Sequence, residues 1–345
     1  MKVPFFDAEL SYELTGYKPI TETKGLDFNP DWFTEARDTY NRTGHYTQYP
    51  FGTKAYRDFW NEQYKRCKNG YTVNGYTVTG FHYFFLNFYQ LKDGRVSVAG
   101  GARNFIFPRF MAAQYEYFHF FELARKLGKN VSMMKSRGVG FSEITAGMCD
   151  CEYSCYKNSI TLVTAATDNY VKKTFEKVTD GLTFLNDKTD GGFFKLRQVV
   201  DSILKKRASY YKIVNGQKIE DGFMSQIEGI VADNDSKIRG DRVALLILEE
   251  AGSNPNLRKS FIKGEALVNV QGNKIGVIVA GGTGGDKGAA LEGLNDMYYN
   301  PDTYDVLRYR HRYTASGEEV ITAFFLPCYK ALDLEGIIDS RGVCD

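Results

Sequence analysis

The chain has 345 residues, 43% hydrophobic and 25% charged, which excludes a disordered or fibrous polypeptide and fits one large α/β domain with additions. A formal net charge of +2 excludes a uniformly basic nucleic-acid binder, so any grip on DNA comes from local patches or from several subunits facing one channel. Aromatic residues are abundant, 24 Tyr and 25 Phe against 2 Trp, and point to a thick core.

The opening stretch MKVPFFDAELSYEL has acids where a secretion signal would have an apolar run. No segment approaches the roughly 18 unbroken apolar residues of a membrane span. Residues 1–107 are expected to be an irregular extension packed on the core, with a helix near 54–68. A hairpin follows, turning at Asn74-Gly75, and then a short aromatic run. QLKDGRVSV offers a second hairpin turn at Asp93-Gly94.

The main domain is expected over 108–330. Pro108 and Gly128 bracket a helix with start and stop signals. Apolar runs at 130–134, 159–164, 243–248 and 275–280 read as strands, with a weaker one at 223–231, and helical segments separate most of them. That alternation predicts a mainly parallel sheet covered on both faces, with its ligand at the carboxyl ends of the strands. The segment 184–222, with its basic cluster LKKRASYYK, reads as an insertion or long loop. Residues 331–345 read as the start of a linker. The six cysteines show no zinc-like pairing; Cys149, Cys151 and Cys155 fall on one predicted helix as small buried residues, in keeping with a reducing cytoplasm.

Three strand ends carry candidate chemistry. After the first, KSRGVGFS covers the phosphate-loop template G-x-x-x-x-G-K-[ST], with Lys135 at the first Gly, Gly140 at the second, Phe141 at the lysine and Ser142 at the hydroxyl. The loop residues Lys135, Ser136, Arg137, Gly138, Val139, Gly140, Phe141 and Ser142 are candidate phosphate contacts. The missing cation is supplied by Lys135 at the rim or by Arg137 inside the loop. Standing alone, the loop reads equally well as a Gly-containing strand–helix turn with incidental cations.

After the second, RVALLILEEAG drives buried apolar residues straight into Glu249 and Glu250. Phosphoanhydride hydrolysis needs one carboxylate to hold Mg²⁺ and a second to polarise water, so Glu249 is assigned to the metal with Ser142, and Glu250 to the base. After the third, KIGVIVAGGTGGDKG places Thr283 near the γ-phosphate as a sensor. TAATDNYVKKTFEKV follows the 159–164 strand, with Asp168 or Asn169 as helix cap and Lys172 and Lys173 on the first turns, read either as nucleic-acid contacts or as a solvated helix face. Upstream, the amide of Gln114 has the donor and acceptor to read an adenine edge.

Together these elements resemble the ATPase domain of the large terminase subunit of tailed bacteriophages, the motor that pumps DNA into capsids. The resemblance rests on KSRGVGFS, LLILEEAG, AGGTGG, PRFMAAQ and the pair Arg239-Gly240, and covers roughly 105–330. It implies an ASCE, RecA-like P-loop fold, ATP with Mg²⁺, double-stranded DNA as track, and a homo-oligomeric ring on the portal protein, with the small terminase subunit as partner. A monomer in solution also fits, as does assembly in the host-cell cytoplasm. By the same resemblance Arg137 is a candidate catalytic arginine, and a neighbouring subunit's arginine is the other. Two departures stand out: Glu249 replaces the aspartate of many members, and no room remains for the family's nuclease half, so nuclease activity is not expected here. Lys205, Lys206 and Arg207, or Arg308, Arg310 and Arg312, are basic candidates for the DNA grip. The rival readings are another P-loop helicase or translocase, and a non-hydrolysing nucleotide-binding assembly module.

Overall fold

A computed structural model describes residues 5–6, 11, 13–14, 28–93, 104–136, 139–231, 242–283, 289–312, 314 and 316–326. The apolar runs form the strands of its central sheet. We label them β1 (Val131–Lys135), β2 (Ile160–Ala165), β3 (Val200–Ser202), β4 (Lys205–Val214), β5 (Gln217–Val231), β6 (Leu245–Glu249), β7 (Val277–Thr283) and β8 (Phe324–Leu326). They make one eight-stranded sheet in the order β8-β1-β7-β6-β2-β5-β4-β3. From β8 to β5 every pairing is parallel, and β5-β4-β3 is an antiparallel flank. The loop strand β1 and the acid strand β6 are not neighbours, because β7 lies between them. The mainly parallel α/β sheet flanked by helices that the sequence leads one to expect is present.

Both faces of the sheet are covered, which is why its strands read as continuous apolar runs rather than alternating ones. Leu245 and Ile247 of β6 join one core cluster, and Leu246 and Leu248 join the other. The first core is completed by helices we call α1 (Glu35–Thr43), α2 (Lys54–Asn69), α3 (Gly80–Phe88), α4 (Ala112–Leu127), α5 (Phe141–Cys155) and α6 (Asp168–Lys188). The second is completed by α7 (Leu257–Val268) and α8 (Ala289–Tyr299). Among the described residues no helix is long and apolar enough to cross a membrane. Cys149, Cys151 and Cys155 are free thiols buried on α5, as expected.

Several expectations need correction. The aromatic run after the first hairpin is helix α3, with every residue buried. It shows no helical period because it has no polar face. Helix α1 adds further order to a stretch expected to be irregular. The hairpin at Asn74-Gly75 is present, with both residues at positive φ (51° and 82°), as its two-residue turn requires. Leu91–Lys92 pairs with Phe105–Ile106; Gly94 of the expected second turn lies outside the described residues. Helix α4 starts at Ala112 rather than Pro108 and closes on Gly128 in the left-handed conformation, φ 63°.

The supposed insertion at 184–222 is regular: α6 continues to Lys188, and the antiparallel flank follows. Its charges hide a strand pattern because they fall on buried, half-exposed and exposed positions of the strands alike. Helix α6 is capped by the Thr167 hydroxyl, which accepts from the Tyr170 N–H at 3.4 Å, and not by Asp168 or Asn169. The linker expected at 331–345 and the pair Arg239-Gly240 lie outside the described residues.

Candidate functional site

The carboxyl ends of β1, β7 and β6 lie side by side. Register pairs Lys135, the last residue of β1, with Thr283, the last of β7, and pairs Glu249 with Gly281. A cation, a hydroxyl and an acid pair therefore meet at one edge of the sheet because three apolar strands end there together.

Lys135 is buried, and its Nζ lies 3.9 Å from Glu250 Oε1 and 5.8 Å from the centroid of the Phe141 ring. A buried ammonium needs a partner, and this one finds it in the acid pair. Ser136 is next, with its Oγ buried and without a hydrogen-bond partner among the described residues. Arg137 and Gly138 lie outside the described residues. Val139 is buried, and Gly140 adopts φ 75° as the residue that turns the chain into α5. No side chain caps that helix N-terminus, so the first-turn N–H groups of α5 face the loop.

Phe141 is not a vacancy in the loop. Its ring is core, 2% exposed, and its tip packs on Gly281 of β7. A Cβ at Gly281 would come within 2.1 Å of Phe141 Cζ. The ring and the glycine thus specify one another, and a lysine at 141 would be driven into the sheet. Gly282 has its own reason: a Cβ there would meet the Gly252 nitrogen at 2.6 Å. In return, a Cβ at Gly252 would meet the Thr283 carbonyl oxygen at 2.1 Å. The end of β7 is therefore wedged against the turn that follows the acids, and Thr283 itself is half-buried beside Lys135.

Glu249 is fully buried. Its Oε1 accepts from Thr145 Oγ1 at 2.9 Å and Thr174 Oγ1 at 3.4 Å, and its Oε2 accepts from the Glu250 N–H at 3.3 Å. Burial raises its pKa above the usual range; the Thr145 and Ser142 hydroxyls oppose the rise, Glu250 adds to it and Lys135 opposes it. Glu250 takes the left-handed backbone conformation, φ 45° and ψ 47°, and is half-buried. A non-glycine residue held there stores roughly 1–3 kcal/mol of strain, a feature that clusters at functional sites.

Gln114, on α4, comes up to Gly140 from the other side: a Cβ on that glycine would lie 3.8 Å from its Nε2. Its Oε1 is buried without a partner among the described residues. The structure thus brings together Lys135, Ser142, Glu249, Glu250 and Thr283, with Gln114 and Ser136 presenting orphaned polar atoms at the loop.

The donor set fits a nucleoside triphosphate with a divalent cation. Two carboxylates face one ammonium, which leaves room for positive charge. A helix N-terminus and two unpartnered polar atoms await acceptors and donors. Sequence reasoning missed Thr145 and Thr174, since a threonine inside a helix gives no signal until the helix is placed against β6.

The other expected nucleic-acid contacts, Lys173 excepted, are paired with carboxylates among the described residues. Lys205 pairs with Glu228 at 2.7 Å, Lys206 with Asp201 at 2.5 Å and Arg207 with Glu220 at 2.5 Å. Arg308 pairs with Asp302, while Arg310 and Arg312 share Glu319 at 3.3 and 3.7 Å. Lys172 pairs with Asp168 at 2.5 Å.

No protein-family model matches the chain, and no curated protein matches it. Among solved structures, it is similar to the large terminase ATPase domain of Thermus phage P74-26, at 17% identity over 50% of this chain and 64% of that one, TM-score 0.37. It is also similar to the large terminase of bacteriophage HK97, at 15% identity over 66% of this chain and 43% of that one, TM-score 0.41. The chain spans less than two-thirds of either protein's length.

Proposed function

We propose that this chain is an ATPase, and that its hydrolysis drives double-stranded DNA into a viral procapsid. The observation that carries the reading is the buried Lys135 ammonium, 3.9 Å from Glu250 at the tip of the acid strand, followed by Ser136, whose Oγ has no partner among the described residues. The positive charge that Phe141 cannot supply enters from the start of the loop.

In this reading the α5 N-terminus and Lys135 hold the phosphates, and Arg137 is a second cation from within the loop. Gln114 reads the adenine edge through its orphaned amide oxygen and its Nε2. Ser142 and Glu249 would hold Mg²⁺, which neutralises charge on the phosphate oxygens when bound. Glu250 orients the attacking water and accepts its proton. As ATP binds, Lys135 exchanges Glu250 for phosphate oxygens, and it returns to Glu250 once the γ-phosphate has been cleaved by water and has left as inorganic phosphate. Thr283 adjoins Lys135 and is wedged against the Glu250 turn, so that exchange reaches the end of β7. A homo-oligomeric ring on the portal protein, with the small terminase subunit, is the assembly this motor would serve.

Steady-state phosphate release with ATP, Mg²⁺ and linear duplex DNA tests the proposal. DNA-stimulated release without strand separation is expected. Nucleotide binding with no release at all would overturn it in favour of a non-hydrolysing assembly module, and strand separation would replace packaging by a helicase.

A further inference from the structure

Glu249 is longer and more flexible than its task requires. A glutamate has three side-chain torsions, and a carboxylate that meets a metal ion must hold one of many orientations. Helix α6, which follows β2 and belongs to neither the loop nor the acid strand, supplies part of the restraint. Thr174 reaches Glu249 Oε1 at 3.4 Å from a position 3% exposed. Thr145, from the second turn of α5, reaches the same oxygen at 2.9 Å. With the Glu250 N–H on Oε2 at 3.3 Å, both oxygens are fixed from three elements.

One turn further along the same face of α6, Lys177 pairs with Glu143, the residue after Ser142. Tyr89, just past α3, donates to the other oxygen of Glu143 at 2.7 Å. The stripe ends at Gly181, where a Cβ would lie 1.9 Å from Asp150 Oδ2, so the two helices are in close contact. One face of α6 thus grips both the acid strand and the first turn of the loop helix.

We infer that Thr174 is a positioning residue: with Thr145 it orients the Glu249 carboxylate for a divalent cation, and through it α6 sets the separation of β6 from α5. This rests on the ATPase reading above for its role in turnover, but not for its effect on metal binding. Hydroxyl partners of metal-binding carboxylates typically contribute about 10-fold or more to metal affinity or activity.

The test uses T174V, which keeps the shape and removes the hydroxyl, and T174S, which keeps the hydroxyl. Mn²⁺ binding is followed by electron paramagnetic resonance with a non-hydrolysable ATP analogue present, and phosphate release is titrated with Mg²⁺. We expect T174V to bind Mn²⁺ about 10-fold more weakly, to need correspondingly more Mg²⁺ and to keep its nucleotide affinity in EDTA, with T174S close to the parent chain. Unchanged Mn²⁺ affinity in T174V would overturn the inference. Equal losses in T174V and T174S would also overturn it, since they would mark a packing role. A parent chain that releases no phosphate, alongside weaker Mn²⁺ binding in T174V, would sink the ATPase reading and leave the positioning role standing.

Discussion

Two parts of the sheet carry dense charge, and they differ in how that charge is met. In the flank β3–β5, every basic residue of the cluster at 205–207 has a carboxylate of its own across the strand or turn. At the carboxyl ends of β1, β6 and β7, one buried ammonium faces two carboxylates, and polar atoms of Ser136 and Gln114 have no partner among the described residues. The cluster at 205–207 is electrostatically closed, whereas the strand ends are poised for a ligand. Charge abundance therefore says little about function; incomplete pairing at a place the fold leaves open says more.

The hardest test of this contrast is chemical. Glu250→Gln should leave nucleotide binding intact and lower turnover on the order of 10³-fold, the scale of a lost general base. Lys135→Ala should lower turnover by about 10²-fold or more, as loss of a charge-stabilising donor does. Both are read by phosphate release beside a fluorescent-nucleotide titration. If Lys135→Ala releases phosphate at the parent rate, the strand ends are no more functional than the flank.

Phe141 sharpens the contrast from the side of stability. Restoring the usual loop lysine with Phe141→Lys should not improve hydrolysis. The ring fills the space above Gly281, and the replacement would bury a charge and empty part of the core. A loss of about 3 kcal/mol is expected in denaturant unfolding, with turnover reduced or absent. A stable, faster variant would mean that the cation belongs at 141 after all.

Much of this was legible in the sequence, because the parallel strands are buried on both faces and their apolar runs cannot be mistaken for surface. The loop and the acids stood at the ends of those runs, where a sheet of this kind holds its ligand. Phe141 could be seen as a departure but not explained, since its partner Gly281 is far along the chain and carries no side chain to pattern. Helix α3 was hidden by having no polar face. The flank was hidden by its charges, which balance only once β4 and β5 are in register. Thr174 was invisible for a simpler reason: its partner is 75 residues away, on a strand not its neighbour in the chain.

Asp150 asks whether any unpartnered polar group marks function. It is buried on α5, neither carboxyl oxygen has a hydrogen-bond partner among the described residues, and it sits away from the strand ends against Gly181. Burial pushes its pKa well above the usual range; Arg197 opposes this and Asp180 adds to it. The folded protein therefore holds the proton more tightly than the unfolded chain. The stability due to that proton is fully present below the unfolded value near about 4 and is lost as pH rises toward the folded value. Asp150→Asn has no proton to lose. It should be more stable than the parent at neutral pH, with the gap closing at acid pH, and should keep its turnover. Lost turnover with unchanged nucleotide affinity would extend the functional region behind the loop.

The smallest effect is expected in the flank, and it is the one that most directly tests its closure. Lys205 and Arg207 are each about a third exposed or less, with carboxylates within hydrogen-bonding reach. Exposed and half-exposed ion pairs contribute roughly 0–1 kcal/mol, because salt and water already screen them. Replacing each by alanine should cost no more than about 1 kcal/mol and leave basal turnover within about twofold. If these cations are occupied by Glu228 and Glu220, the salt dependence of DNA stimulation should also be unchanged, since a phosphate contact releases counterions and an internal pair does not. A salt slope lowered by about one per substitution would show that DNA displaces the carboxylates, and would turn the closed flank into part of the track.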